Sequence, residues 1–226
     1  MATDLSGIAR RLPSGLTVRV AEDADLERIV EFVNRGATPA QWQAPAAVRA
    51  MQQAAPEPLR LALIVEDAAR SMAALAVTTD GGLWRAGDGT WRVQLLVSPE
   101  HRRRGVGGAL LEQVEAHARA HAAPRAVAAV RGTDPEGARF AERHGYRAFH
   151  ERIDAYIDVP AFDRSAFDDP DESARRVGIR LATWEELLAE HASDSEGFQR
   201  ALLPILWQLA RDVPSPTPMP EEPPPF

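Results

Sequence analysis

The stretch Leu95-Leu96-Val97-Ser98-Pro99-Glu100-His101-Arg102-Arg103-Arg104-Gly105-Val106-Gly107-Gly108-Ala109-Leu110-Leu111 constrains this chain more than any other. An apolar run ends at Val97, a turn passes through Pro99, and a glycine-rich corner opens straight into a helix. That helix carries Leu110, Leu111, Val114 and Ala118 on one face. Glycines let backbone approach a ligand closely, and the first amides of a helix point outward without internal partners. With the helix dipole and adjacent arginines, the corner suits an anion, and a pyrophosphate above all.

Three readings of the corner compete. A dinucleotide fingerprint needs G-x-G-x-x-G/A, and Leu110 stands where the third small residue belongs. A Walker loop needs lysine, and all 26 basic residues of the 226 are arginine. The plain alternative is a tight turn with solvated arginines, which the strand before it and the helix after it disfavour.

Composition removes other chemistries. With no cysteine there is no thiolate nucleophile, no disulfide and no cysteine-ligated metal site. With no lysine there is no Schiff base. His117 and His121 have i,i+4 spacing but no third ligand is evident, so no metal is expected. The apolar runs Leu61 to Val65 and Ala201 to Leu206 fall far short of the roughly 20 residues a membrane helix needs. Asp4 interrupts the start before any apolar run, so a soluble, cytoplasmic chain without a membrane partner is expected.

The net charge of −7 sits entirely in residues 160–226, with 6 arginines against 13 acids. Ser98 to Arg147 instead holds 9 arginines and 6 acids. Nucleic-acid affinity comes mainly from neutralising phosphates, so a net acidic chain excludes that partner. A compact basic strip suits a small anionic ligand.

Residues 1–14 read as an N-terminal extension. Leu16 to Val20 alternates as a half-buried strand does, and Asp23 is placed to cap a helix with Leu26, Ile29, Val30 and Val33 on one face. A loop with Pro39, Trp42 and Pro45 precedes a weaker helix over Ala46 to Ala54. Leu59 to Val65 and Met72 to Thr78 read as a hairpin about Asp67 to Arg70. Gly81-Gly82 and Gly87-Asp88-Gly89 bracket the turn into Thr90 to Val97. After the corner helix come a short strand Ala126 to Val130, a helix Pro135 to His144, and closing strands within Phe149 to Val159. The fold class is α/β: a mixed, mostly antiparallel sheet of six to seven strands with helices on both faces, over residues 15–159.

Pro160 to Val177, with Asp168-Asp169-Pro170-Asp171-Glu172, reads as an acidic linker. Gly178 to Leu187 then echoes Gly15 to Asp23, with Thr183 and Glu186 spaced as a capping box. A helical run over Phe198 to Ala210 carries Pro204 and should kink there. Seven prolines among the last 13 residues leave no room for a packed element. Residues 178–226 are thus read as a partial second lobe with a proline-rich tail.

The corner resembles that of the GNAT acetyltransferase superfamily. Its Q/R-x-x-G-x-G/A signature is matched by Arg102, Gly105 and Gly107. The lead-in Leu95, Val97 and Pro99, the Leu110-Leu111 face, and Arg143-His144-Gly145-Tyr146, similar to the family's Lys/Arg-x-Gly-Phe, extend the likeness over roughly Gly15 to Val159. The resemblance implies that the amides of Arg103, Arg104, Gly105, Val106, Gly107, Gly108 and Ala109, with Arg102, hold the pyrophosphate of acetyl-CoA as co-substrate. It implies that Leu95, Leu96 and Val97 receive the pantetheine arm and acetyl group, and that Asp134, Phe140 and Arg143 of the following helix complete the coenzyme site.

The implied reaction is direct attack of an amine, from a small molecule or a protein N-terminus, on the acetyl thioester. A backbone amide near Val97 would stabilise the oxyanion, and Gln94 would position a water. The fourth strand lacks the carboxylate that family members often keep there; Glu66 and Asp88 are distant candidates for the base, each more readily a solvated turn residue. Where the family often has Asn-x-x-Ala-x-x-Phe-Tyr, this chain has Asp134 for the Asn and Ala141 for the tyrosine that protonates the departing thiolate. Tyr146, His144 and Tyr156 are the substitutes available. Trp42 and Trp84 are candidates for the acceptor pocket. A noncatalytic acyl-CoA-binding lobe of a tandem protein is the second reading, and assembly as a homodimer through the partial repeat the third.

Overall fold

The computed structural model describes residues 4–38, 41–53, 60–81, 86–153, 155–215 and 217–223. Pro39, Gly82 and Trp84, each named above, lie outside them. The chain divides into two compact units: residues 1–149 with 215–221, and residues 150–214 with 222–226.

The first unit is built on a five-stranded sheet in the order β1-β2-β3-β4-β5. Its strands are β1 (Thr17–Val20), β2 (Arg60–Glu66), β3 (Met72–Thr79), β4 (Trp91–Val97) and β5 (Ala126–Val127). The first four pair antiparallel in sequence order, and β5 lies parallel to β4 through Trp91↔Ala126 and Arg92↔Val127. The β2–β3 turn forms as the sequence suggests: Asp67 Oδ1 accepts the N–H groups of Ala69 and Ser71, both at 2.9 Å.

Period-2 alternation makes the two faces. Leu61, Leu63 and Val65 of β2, Ala74 and Ala76 of β3, and Val93, Leu95 and Val97 of β4 pack against α4 (Val106–Ala120), whose Val106, Ala109, Leu110, Leu111 and Val114 are buried. Ala62, Ile64, Leu75, Val77 and Leu96 meet Phe32, Ile29 and Val33 of α2 (Leu26–Arg35) on the other face. The sheet is therefore covered on both faces, with α3 (Pro45–Gln53) against α2.

The sequence reading needs correction at several points. The sheet has five strands among the described residues, one or two fewer than expected. The fifth stops at Val127, and no strand forms in the described part of 149–159, where Phe149, Ile153, Tyr156 and Ile157 are exposed. That segment alternates as a strand does, but alternation specifies a strand only when one face is buried. Residues 5–12 are no appendage: α1 (Ser6–Ala9) buries Ile8, and Leu5 and Leu12 join the same cluster. The cap before α2 is Glu22, in a reciprocal box with Asp25, and Asp23 lies one residue inside a 3-10 turn. The tail also packs: Thr217 is buried and the Pro218 carbonyl accepts the Gly87 N–H at 2.7 Å. A proline-rich segment brings carbonyls and a stiff extended backbone, enough to dock without being an element.

In the second unit, the expected linker contains α6 (Pro170–Arg176). Asp169 caps it through the N–H groups of Asp171 and Glu172, with Pro170 at its first position and acids in its first turn. The same residues that look like a linker are a helix start. α7 (Trp184–Glu190) has the Thr183–Glu186 capping box, and α8 (Ser195–Asp212) continues through Pro204. Among the described residues no helix is long and apolar enough to cross a membrane.

Candidate active site

The site begins where β4 ends. Ser98 N–H bonds the Ala73 carbonyl at 2.9 Å, closing the β3–β4 ladder, whereas Trp91 N–H bonds Arg125 O at 2.9 Å on the opposite side. Strand alternation then turns the N–H groups of Val93, Leu95 and Val97 toward the β5 side. There the β4–β5 ladder has already ended at Arg92↔Val127. β4 thus presents an open backbone edge at Leu95 and Val97, past the Val93 N–H, which closes the ladder on Val127. Leu96 is not part of it: its backbone faces β3 and its side chain the α2 face. Gln94 shares that parity, and its side chain is exposed.

Beyond Val97 the corner is locked by its own residues. Pro99–His101 is one 3-10 turn, and the buried Ser98 hydroxyl bonds His101 Nδ1 at 2.9 Å. Arg102, the first residue of the sequence signature, folds back so that its Nε donates to the Val97 carbonyl at 3.1 Å, and its guanidinium reaches Glu136 at 3.5 Å. Arg103 then adopts φ +59° and Gly105 φ +84°. Two left-handed residues within three positions turn successive amides to one side. Gly105 is required for conformation, since nothing lies within 4 Å of a Cβ built on it. Gly107 sits in close quarters: a Cβ there would stand 3.3 Å from Phe140 Cε2, which would have to give by a few tenths of an ångström, and 3.6 Å from Val97 Cγ2.

The result is a run of unclaimed donors. The first helical bond of α4 runs from Ala109 N–H to Gly105 O at 3.1 Å, and Gly105 makes no side-chain cap. Among the described residues, the N–H groups of Arg103, Arg104, Gly105, Val106, Gly107 and Gly108 have no acceptor. Ala109, expected among the ligand-holding amides, is thereby excluded. The side chains of Arg102, Arg103 and Arg104 are exposed around the run.

Helix α5 (Pro135–Arg143) packs beside this corner through Phe140. Asp134 caps it, accepting the Gly137 N–H at 2.9 Å, so its carboxylate shapes the helix start. Arg143 is exposed in the last turn, and Ala141 is half-buried. His144 lies tilted against Phe140 with ring centroids 4.2 Å apart, its Nδ1 is 2.8 Å from the Phe140 carbonyl, and its Nε2 lies 3.5 Å from where a Gly108 Cβ would be.

The candidate proton-transfer groups are engaged elsewhere. Tyr146 is half-buried and donates to Glu115 Oε1 at 2.9 Å; burial and that carboxylate push its hydroxyl above the usual range. Asp88 is held by Arg125 at 2.6 Å and by the Thr90 N–H at 3.0 Å, and its hydrogen bonds to Thr90 hold it below the carboxylate range. Glu66 is no solvated turn residue. It is buried and bonded to Arg19 at 3.1 Å and Arg28 at 2.8 Å, and the hydrogen bond from Arg19 draws its carboxyl downward. No local pattern signals that pairing, nor Glu115 as partner to Tyr146. His117 and His121 form an aromatic cluster with Trp91, at centroid distances of 5.8 and 5.5 Å. Trp42 is 63% exposed.

An acetyltransferase (GNAT) family model matches residues 26–146, more than half of the chain. The chain belongs to the GNAT acetyltransferase family. No curated protein matches it. Among solved structures it is similar to a GCN5-related N-acetyltransferase from Kribbella flavida, at 23% identity over 61% of this chain and 86% of that one, with a TM-score of 0.49. The yncA protein of Salmonella typhimurium, solved with its cofactor acetyl-CoA, matches at 23% identity over 61% and 82%, TM-score 0.47. An aminoglycoside 6'-N-acetyltransferase from Acinetobacter baumannii matches at 15% over 64% and 99%, TM-score 0.48.

Proposed function

We propose that the chain binds acetyl-CoA at the β4–α4 corner and transfers its acetyl group to an amine by direct attack. The single observation that carries this reading is the run of six consecutive unclaimed amides from Arg103 to Gly108 beside an open β4 edge. Arg103, Arg104 and Gly105 are exposed, but Val106 is buried and Gly107 and Gly108 are half-buried, and a buried or half-buried donor left unmade is unfavourable, so the run argues for an acceptor supplied from outside. A diphosphate fits in charge and in number of acceptors. The structures of acetyltransferases noted above, one of them holding acetyl-CoA, agree with that choice of ligand.

The coenzyme brings a thioester and a thiol leaving group. Everything else falls to this chain. The Arg103 to Gly108 amides anchor the diphosphate, with Arg102 setting the corner's shape through Val97 O. Leu95 and Val97 offer outward amides along which an amide-bearing arm can pair as a strand would. The Val97 N–H is the donor placed to meet an oxyanion, a contribution of about 3–4 kcal/mol for a well-aimed donor. Gln94 orients a water without serving as a base. The acceptor amine must reach the site deprotonated or lose its proton to solvent, because the carboxylates Glu66 and Asp88 are committed to arginines.

Those commitments also favour a second reading, a lobe that binds acyl-CoA without turning it over. The Tyr146 hydroxyl is engaged as a hydrogen-bond donor to Glu115, and Ala141 has no proton to give.

Calorimetric titration of acetyl-CoA into wild type and Gly107→Glu tests the first claim. Glutamate there collides with Phe140 and places an anion in the cradle, so affinity should fall at least about 100-fold, the scale of two lost charge-assisted hydrogen bonds. Equal binding by both proteins would remove the assignment. Thiol release with a panel of polyamines, aminoglycosides and peptide N-termini then separates enzyme from binding lobe: binding without release in every case leaves only the second reading.

A further inference from the structure

We propose that His144 is a proton-linked ligand of the anion at the corner: when protonated, its Nε2–H adds one charge-assisted hydrogen bond to a diphosphate seated on the first turn of α4. The proposal rests on the coenzyme reading of that corner and assigns a residue the family signature does not include.

Its geometry comes from three contacts. A carbonyl oxygen only accepts, so the 2.8 Å contact of Nδ1 with Phe140 O puts the neutral ring's single proton on Nδ1. Nε2 then carries a bare lone pair, and it has no partner among the described residues. The Phe140 ring, 4.2 Å away and tilted by 35°, lies against the exposed imidazole and, with the Nδ1 contact, limits its orientation. Gly108 leaves the adjacent turn bare, so Nε2 lies 3.5 Å from where the first side-chain carbon would stand. Phe140 itself rests on Gly107, so the two rings form a wall against the turn that carries the free amides.

Neutral, this wall shows an anion a lone pair. Protonated, it shows a donor and a positive charge beside amides that already favour the anion. Histidine is the side chain that makes this change near neutral pH. Its charged neighbours are Arg139, Glu142 and Arg143 along α5, Arg147 just beyond it, Arg103 and Arg104 at the corner, and Glu112 and Glu115 on α4. Glu112 is paired with Arg11, and Glu115 with Tyr146 and Arg119. No carboxylate is bonded to His144 among the described residues, so the ligand is its available counter-charge.

The test uses dephospho-coenzyme A, whose diphosphate does not titrate near neutrality as a phosphate monoester does. Calorimetry on wild type at about pH 5.5 and about pH 8 should show roughly tenfold tighter binding at the lower pH. In His144→Asn, which keeps a donor for Phe140 O, affinity should be the same at both pH values and equal to wild type at the higher. Gly107→Glu should bind at neither. An equal pH slope in wild type and His144→Asn overturns the proposal and leaves the coenzyme assignment standing; absence of binding by wild type removes the assignment itself. If the variant fails to fold, the wild type answers alone: calorimetry near neutral pH in buffers of different ionisation enthalpy should show proton uptake when dephospho-coenzyme A binds, the linked form of the tenfold change. Binding without proton uptake overturns the proposal.

Discussion

Two polar regions of the first unit could hardly differ more in how their groups are satisfied. At the β4–α4 corner, six consecutive amides from Arg103 to Gly108 have no acceptor among the described residues. At the β1–β2 end, Arg19, Asp25, Arg28 and Glu66 form a closed set. Arg19 Nη1 and Nη2 grip the two Asp25 oxygens at 2.6 Å each, while Arg28 spans Glu66 at 2.8 Å and the Arg70 carbonyl at 2.7 Å. The side chains of Asp25 and Glu66 are only 8% and 6% exposed. Charge alone does not mark a binding site: the saturated cluster holds the fold together, and the unsaturated corner has capacity left for a ligand. Removing Asp25 should therefore damage stability and spare binding. Asp25→Ala leaves Arg19 with Glu66 alone and strands the Glu22 N–H that Asp25 also accepts, and should cost about 3 kcal/mol in urea denaturation, the low end for a broken buried pair because both arginines are partly solvated. Acetyl-CoA affinity of the folded variant should be unchanged. A loss of affinity comparable to that of Gly107→Glu would show that the two regions are coupled after all.

Acid should distinguish them in the same way. The guanidinium of Arg19 holds both Asp25 and Glu66 below the ordinary carboxylate range. Their folded pKa values are depressed, so the stability they contribute is fully present above the unfolded values near about 4 and is lost as pH falls below them. Thermal midpoints followed from about pH 6 to about pH 3 should drop below about pH 4 in wild type. The drop should be much shallower in a doubly uncharged Asp25→Asn/Glu66→Gln protein. A parallel fall in both would place the acid-labile interactions elsewhere.

The corner could be read from the sequence and the cluster could not, and the reason is range. Val97, Pro99, Arg102, Gly105 and Gly107 lie within eleven residues, and strand, turn and helix start each have local rules. The order of elements through α5 followed from the same rules. Arg19, Asp25 and Glu66 meet only because β1 pairs with β2, a contact no local pattern encodes. Glu66 therefore looked like a turn residue and a candidate base. α6 is ambiguous for the opposite reason: Asp169-Pro170-Asp171-Glu172 obeys local rules for both a linker and a capped helix, and only the chain's path decides. The closing strands failed on pairing, since Phe149 to Ile157 carries the alternation without a neighbour to bury it.

Within the corner, the two glycines separate conformation from space. Gly105→Ala meets no atom but must hold φ +84°, and should lower stability by about 1–2 kcal/mol while weakening acetyl-CoA binding several-fold as the N–H run tilts. Differential scanning calorimetry and titration on one sample read both. Full stability with full binding would mean that the left-handed turn is not what aims the amides.

The smallest effect belongs to Tyr146. Its hydroxyl already donates to Glu115 on α4, and its ring joins the cluster that packs β4 against that helix. Deleting the oxygen in Tyr146→Phe removes one half-buried hydrogen bond to a carboxylate that keeps Arg119 as a partner. Stability should fall by about 0.5–1 kcal/mol, near the ordinary net value of such a bond. Acetyl-CoA affinity should not move, and kcat for any amine that releases thiol should change less than twofold. A proton donor to the leaving thiolate would behave otherwise, with kcat falling by about 10²–10⁴ while affinity stayed put. The ratio of kcat in the two proteins thus decides whether Tyr146 belongs with the saturated groups that hold the fold, as its bond to Glu115 argues, or with the open ones that meet the substrate.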